Sequence, residues 1–247
     1  MDTLIYKGIA YIERRHWWYR GRREIILRLL NRIGFAGSAK TPHTILSVGC
    51  GAGEEIRFLG QFGKVYGMDP GEDAIRFCRE AGIGEQVVQA SAENIPFADA
   101  SFDAVFALDV LEHVAGEEQA LDEIYRVLKP GGIAVFTVPA YAWLWSKADM
   151  RSHHFRRYTR RELMRKCATR GFSVLRATYC NTILFLPIAK IKFLTRMWEP
   201  KCCVGAEVQM PPRAINTILS WLFSLEAPVI ARMNLPFGLS VLTILQK

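Results

Sequence analysis

The sequence predicts an α/β fold: a doubly wound, seven-stranded, mostly parallel sheet, with an N-terminal helical cap and a helical insertion before the last strand. Three observations predict it. Short β-prone runs alternate with helical ones from residue 44 onward, the pattern of a parallel sheet covered on both faces. The first run enters a glycine turn, Gly49-Cys50-Gly51-Ala52-Gly53, and the second ends in an acid, Asp69. A last apolar run, Leu239–Leu245, is introduced by the turn-forming Pro236-Phe237-Gly238.

In chain order, Ile26, Leu27, Leu29, Leu30 and Ile33 recur at helical spacing behind a stretch rich in Trp, Tyr and Arg, which implies a helical cap over residues 1–40. A core of residues 41–179 follows. Its strands are expected at Thr44–Val48, Lys64–Met68, Gln86–Ala90, Asp103–Leu108, Gly132–Val138 and Phe172–Tyr179, and its helices at Glu54–Gln61, Glu72–Ala81 and Glu117–Leu128. Residues 180–235 read as a helical insertion with an apolar face at Ile215, Ile218, Leu219, Leu222 and Phe223. Residues 236–247 supply the seventh strand. Within the insertion, Pro187, Lys190 and Lys192 interrupt Ile183–Met197 short of the roughly 20 apolar residues a membrane span needs. Asn216, Glu226, Pro228 and Arg232 argue likewise for Ala214–Met233. An interfacial helix stays open there.

Half of the 247 residues are hydrophobic and 23% are charged, which excludes a disordered chain and permits one substantial core. The formal charge of +8 points to an anionic partner, whether phosphate-bearing substrate, acidic membrane surface or nucleic acid. Met1–Lys7 lacks the pattern of a secretory signal, so a cytoplasmic location is expected, with peripheral membrane contact left open. Cysteines 50, 78, 167, 180, 202 and 203 form no C-x-x-C pair and match no histidine spacing for zinc. They read as reduced thiols, and no metal is expected.

Strand, glycine turn, helix, strand and acid form a nucleoside-binding order. Glycine permits positive φ and close approach of a ligand, and an acid at the end of the second strand can accept both hydroxyl hydrogens of a ribose. A dinucleotide fingerprint would need a third glycine where Glu54 stands, which argues against NAD.

Further motifs follow in order: Ser91-Ala92-Glu93-Asn94-Ile95-Pro96-Phe97, Ser101-Phe102-Asp103, Leu108-Asp109-Val110-Leu111-Glu112-His113-Val114 and Arg126-Val127-Leu128-Lys129-Pro130-Gly131-Gly132. With the glycine loop and Asp69, the stretch from Thr44 to Phe172 and the final strand resemble the class I, Rossmann-like methyltransferases that use S-adenosylmethionine and release S-adenosylhomocysteine. The likeness is to the small-molecule branch that includes the quinone-biosynthesis enzymes. The resemblance implies that Gly49, Cys50, Gly51 and Gly53 contact the methionine end and that Asp69, with Pro70 beside it, holds the ribose. It places Ser91, Ala92 and Glu93 at the adenine, and Asp109 and Val110 at the sulfonium pocket. Two positions depart from the family's pattern. Serines stand at 47 and 91 where acids are common, so the methionine ammonium loses one nearby carboxylate.

Methyl transfer needs alignment, exclusion of water and, for a hydroxyl acceptor, a base. Candidates are His113 just past the fourth strand, and His153 or His154 oriented by Asp149. Tyr141, Trp145, Arg156, Arg157 and Tyr158 after the fifth strand are candidate substrate contacts, the arginines for an anionic group. His16-Trp17-Trp18-Tyr19 is read either as a cover over sulfonium and substrate or as a staple docking the first helix. The resulting expectation is O-methylation of a small or lipid-like anionic or phenolic acceptor, with a histidine base. C- or N-methylation is the near alternative. Methylation of RNA or DNA through the basic segment 151–170 is the alternative of another class, but the Asn/Asp-Pro-Pro-Tyr or Phe motif of amino-methylating enzymes is replaced by Leu108-Asp109-Val110-Leu111.

Overall fold

The computed structural model describes residues 3–35, 42–198 and 210–247. The readings of Cys202 and Cys203 lie outside these. Helices α1 (Thr3–Arg15) and α2 (Trp17–Arg32) lead into β1 (His43–Val48), α3 (Glu54–Leu59), β2 (Gly63–Asp69), α4 (Glu72–Glu80), β3 (Val87–Gln89), β4 (Phe102–Leu108), α5 (Glu117–Val127) and β5 (Leu128–Pro139). Then come α6 (Lys147–Arg151), α7 (Arg160–Ala168), β6 (Ser173–Cys180), α8 (Phe185–Trp198), α9 (Arg213–Ser224), α10 (Glu226–Ile230) and β7 (Ser240–Gln246). The seven strands lie in the order β3-β2-β1-β4-β5-β7-β6, with β7 antiparallel to both neighbours and the other pairings parallel.

The central strands are apolar on both faces because helices cover both. In β4, Val105 and Ala107 join one core with Leu121, Ile124 and Leu163, while Ala104 and Phe106 join the other with Ile25, Ile26, Leu29 and Leu30. Strand order reverses between β1 and β4. In doubly wound sheets a crevice opens there at the carboxyl ends of the strands, and the glycine turn after β1 and Asp109 after β4 both lie at it.

The first helices form because their apolar residues fall on one stripe. On α2 the buried set is Gly21, Arg22, Ile25, Ile26, Leu29 and Leu30, a period of three to four. His16 caps its start by accepting from the Trp18 amide at 3.3 Å. Its end closes with Gly34 at φ +78°, the Gly34 amide donating to the Asn31 carbonyl and the Phe35 amide to that of Leu30, a Schellman turn. The apolar stretch read between Ala214 and Met233 is two helices, broken at Leu225. Among the described residues no helix is long and apolar enough to cross a membrane.

Helices α9 and α10 pack on α2 across Phe223, which is fully buried and stacks on Trp18 with ring centroids 5.1 Å apart. Gly21 lies under that ring, and a Cβ there would sit 2.2 Å from Phe223 Cδ1. Gly21→Ala is therefore expected to destabilise the chain by about 1–3 kcal/mol through overpacking, despite the higher helix propensity of alanine. Urea unfolding measures it, and Phe223→Leu in the same chain should recover part of the loss.

Candidate active site

The glycine turn is shaped for a ligand to lie against backbone. Gly49, Gly51 and Gly53 all hold positive φ, at 68°, 50° and 79°. A Cβ at Gly49 would meet Val110 Cγ2 at 2.6 Å, and one at Gly53 would meet Ile83 Cδ1 at 2.2 Å. Asp69 ends β2 beside the turn, its Oδ2 accepting from the Gly51 amide at 3.0 Å and its Oδ1 from the Gly71 amide at 2.8 Å. It lines a cavity of about 580 Å³ together with Gly49, Pro70, Ser91, Ala92, Glu93, Asp109 and Val110. Eight of the eleven residues expected around the cofactor thus share one cavity. The Glu93 carboxylate is spent on structure: it accepts from the Gly116 amide at 2.7 Å and from Ser91 Oγ at 3.0 Å, drawing the loop onto the start of α5.

A second cavity, about 380 Å³, adjoins the first, and Gly49, Asp109 and His113 line both. Cys50 is in its wall, with its thiol pushed up by a hydrogen bond with Cys78 and by burial. Asp109, non-glycine at φ +58°, accepts from Thr137 Oγ1 at 3.0 Å and from Arg22 Nη1. Arg22 is buried, and its Nη2 lies 3.8 Å from Glu55 Oε1. Glu55 Oε2 accepts from Ser47 Oγ at 3.0 Å, and Oε1 has no hydrogen-bond partner among the described residues. Glu13 lines the same cavity, its Oε1 3.8 Å from where a Gly51 Cβ would be. Burial pushes both carboxyls up, each to about 7, with Arg22 opposing.

Sequence reasoning missed Arg22, Glu13 and Glu55. Serine at 47 in place of the family's acid was the signal that another carboxylate had to be sought nearby. Glu54 was read only as the residue that breaks the dinucleotide pattern. Its carboxylate takes both Nε and Nη2 of Arg14, at 3.0 and 2.6 Å, and so ties α1 to the glycine turn.

The loop after β5 is organised by Asp149, which is 1% exposed. Its Oδ2 accepts from the Ser146 amide and Oγ, closing the capping box of α6. Its Oδ1 faces His154 Nδ1 at 3.0 Å, and Arg157 grips both oxygens, at 2.7 and 3.0 Å. Burial alone would raise this carboxyl, but the hydrogen bonds from His154 and Arg157 hold it well below the usual range. His154 lines the second cavity, its ring edge-on to His113 at 4.5 Å. Burial, then the neighbouring His154, lower the His113 pKa and favour its neutral form.

Of the other expected substrate and catalytic residues, Trp18 and Tyr19 line the second cavity, and burial pushes the Tyr19 hydroxyl up to about 12. His153 is exposed and lines neither cavity. Arg157 is spent on Asp149 and on the Ala140 carbonyl, and Arg156 on the Ala115 carbonyl and Glu117. Tyr158 is core, its hydroxyl donating to Glu117 Oε2 at 2.6 Å. Tyr141 stacks on Tyr179 at 5.2 Å, and neither it nor Trp145 reaches these two cavities. His16 is a helix cap, and Trp17 is the staple: its amide donates to Asn216 Oδ1 at 2.9 Å and its ring meets Phe223. The two readings of the aromatic run therefore divide within it, His16 and Trp17 holding structure while Trp18 and Tyr19 wall the cavity.

Residues 46–136 match a family described as a methyltransferase domain. A ubiquinone/menaquinone biosynthesis C-methyltransferase of Klebsiella pneumoniae is 36% identical over 124 residues, which cover 45% of this chain and 49% of that one. A malonyl-[acyl-carrier protein] O-methyltransferase of Enterobacter lignolyticus is 29% identical over 152 residues, 59% of each chain. The shared stretch is thus under two thirds of either relative. Geranyl diphosphate C-methyltransferase from Streptomyces coelicolor, solved with Mg2+, geranyl diphosphate and S-adenosylhomocysteine, has a similar fold: TM-score 0.56 at 16% identity, over 89% of this chain and 78% of that one. Residues 46–136 thus match a methyltransferase domain, and the chain is similar to class I, S-adenosylmethionine-dependent methyltransferases of the small-molecule type.

Proposed function

We propose that this chain methylates the oxygen of a small or lipid-like phenolic acceptor, with His154 as the base. The observation that carries the reading is the Asp149–His154 pair on the wall of a cavity that shares Gly49 and Asp109 with the cavity beside Asp69. The cofactor, when bound, supplies a methyl group already activated on a sulfonium. The residues present fit it. The Gly49 cradle would be filled by a Cβ, and Glu55 Oε1, which takes no hydrogen bond from the described residues, suits an ammonium where the family's acid is missing from β1. In this reading Glu55 and Glu13 hold the amino group, Asp69 the ribose, and Asp109 and Val110 border the transferred methyl.

With its Nδ1 hydrogen donated to Asp149, His154 presents Nε2 as the acceptor of a proton. A hydroxyl in the second cavity would give its proton to that nitrogen as its oxygen attacks. Because Arg156 and Arg157 are both spent, the anionic part of the expectation loses its groups, and the phenolic part is kept. A lipid-like acceptor is supported by large apolar side chains left in solvent on α8 and α9: Leu186 at 72%, Phe193 at 67% and Trp221 at 61% exposed. Such faces suit a membrane surface or an apolar substrate.

Incubating cell extracts with the protein and methyl-labelled cofactor, followed by mass spectrometry, should yield a labelled O-methyl phenol or lipid. A label on carbon would favour C-methylation, and label in RNA or DNA would overturn the reading. His154→Ala should lower turnover by about 10²–10⁴-fold and leave the cofactor Kd nearly unchanged. The loss should exceed that of His153→Ala, and equal losses would contradict the assignment of the base.

The raised carboxyls give two trends of opposite sign. Below pH 7 Glu13 and Glu55 bind protons that the unfolded chain has released above about 4.5, so the stability of the ligand-free chain should fall from pH 5 to 7. Cofactor affinity should rise over the same window as both acids ionise to meet the ammonium. Glu55→Gln should flatten both curves, read by urea unfolding and by calorimetric titration with cofactor. A cofactor affinity independent of pH in the wild type would remove both acids from the site.

A further inference from the structure

We propose that Glu112, His113 and His154 bind a divalent transition-metal ion whose open coordination positions face the acceptor cavity. Glu112 and His113 lie on the 3-10 turn Leu111–His113 that follows β4, and His154 lies on the loop after α6. One ligand atom from each falls within 4.8 Å of the others, against the roughly 3–4 Å separation of neighbouring ligands around an ion about 2.1 Å from each. Small rotamer changes close that difference. All three residues line the 380 Å³ cavity.

Two further observations point to a ligand at this corner. Glu112 is 1% exposed, and its Oε2 has no hydrogen-bond partner among the described residues. A buried carboxylate oxygen left without a partner is costly, and a cation would satisfy it. Asp149 meanwhile takes His154 through Nδ1, which leaves Nε2 for an ion. A carboxylate behind the imidazole is the usual support of a metal-binding histidine, fixing its tautomer and raising its basicity. The charge of Asp149 is itself balanced by Arg157.

Two imidazoles and one carboxylate suit Zn2+, Mn2+ or Fe2+ better than Mg2+ or Ca2+, which favour oxygen ligands. Three protein ligands leave positions for water or an acceptor oxygen. The inference rests on the reading above only for the acceptor's place, and the bound ion takes over from His154 the work of activating the acceptor's hydroxyl. With the ion bound, His154 is a ligand, the acceptor's O–H bond breaks as its oxygen binds the ion, and the proton leaves to water.

The test titrates Mn2+, followed by electron paramagnetic resonance, and Zn2+, followed by calorimetry, into the chelator-stripped full chain without cofactor or acceptor. One saturable site per chain is expected. Glu112→Gln, His113→Ala and His154→Ala should each weaken it by about tenfold or more, and Asp149→Asn by about 10–100-fold. Circular dichroism and cofactor binding confirm that each variant folds, and Glu112→Gln preserves the shape of the side chain. No saturable binding of either ion, or binding unchanged in all three ligand variants, overturns the proposal. Binding is read without methyl transfer, so loss of the ion site and loss of the methylation reading are separately visible. Methyl transfer undiminished after complete removal of metal would overturn the catalytic role given to the ion while keeping His154 as base.

Discussion

The pairing of Asp109 with Arg22 is the constraint on which the rest of the site depends. Asp109 stands in the left-handed region at φ +58°, a conformation that costs a non-glycine residue on the order of 1–3 kcal/mol and persists only where its surroundings hold it. Here they do. Its amide donates to the Thr137 carbonyl at 2.9 Å, its Oδ1 takes the Thr137 hydroxyl, and its Oδ2 takes Arg22. Arg22 is in turn fixed by the stripe of α2 that carries Ile25, Ile26, Leu29 and Leu30 into the core. Arg22 is buried while Asp109 is partly exposed, so removing Asp109 leaves a buried guanidinium short of its hydrogen-bond partner, a loss on the order of 1–3 kcal/mol. The N-terminal cap and the end of β4 are therefore joined electrostatically at the point where the two cavities meet.

Asp149 plays the corresponding part on the opposite wall, and its economy explains why several polar neighbours are not free for substrate. One carboxylate caps α6, orients His154 and neutralises Arg157. A carboxylate accepting this many hydrogen bonds stays ionised far into acid, so the orientation of His154 does not change across the neutral range. Glu117, at the start of α5, repeats the device, with Tyr158, Arg156 and Lys166 gathered on it. The histidine-arginine-tyrosine loop is thus mostly a scaffold for one imidazole.

The sheet was legible in the sequence because burial on both faces writes continuous apolar runs, and turn residues bound each one. All seven strands lie where the runs are, with β5 beginning earlier, at Leu128, which pairs with Phe102 ahead of a register shift that the regular pairing from Ile133 follows. The glycine turn and Asp69 were legible for a related reason: their backbone geometry demands particular residue types. The loop after β5 carries no such period. Its residues looked equally chemical in sequence, and only tertiary contacts separate His154, on the cavity wall, from His153, in solvent, or show Tyr158 as core. Arg22, Glu13, Glu55 and Glu112 were missed because a buried charge in a charged stretch is indistinguishable by composition from a solvated one. What distinguishes them is their desolvation, which tertiary packing sets and residue type does not reveal.

The insertion before β7 bears on the site through a single aromatic contact. Phe223 faces inward from α9, fully buried, with Trp18 stacked on it at an interplanar angle of 6°. Trp18 also lines the acceptor cavity, and Tyr19 and Arg22 follow on the same helix. The outer face of α9 is apolar as well, with Ile215, Ile218 and Trp221 in solvent. A helix that is apolar inside and out gains by covering its outer face. Phe223 and Trp18 thus join the insertion to the helix that carries Arg22 to Asp109, so the packing of the insertion and the position of that arginine depend on one close-packed contact.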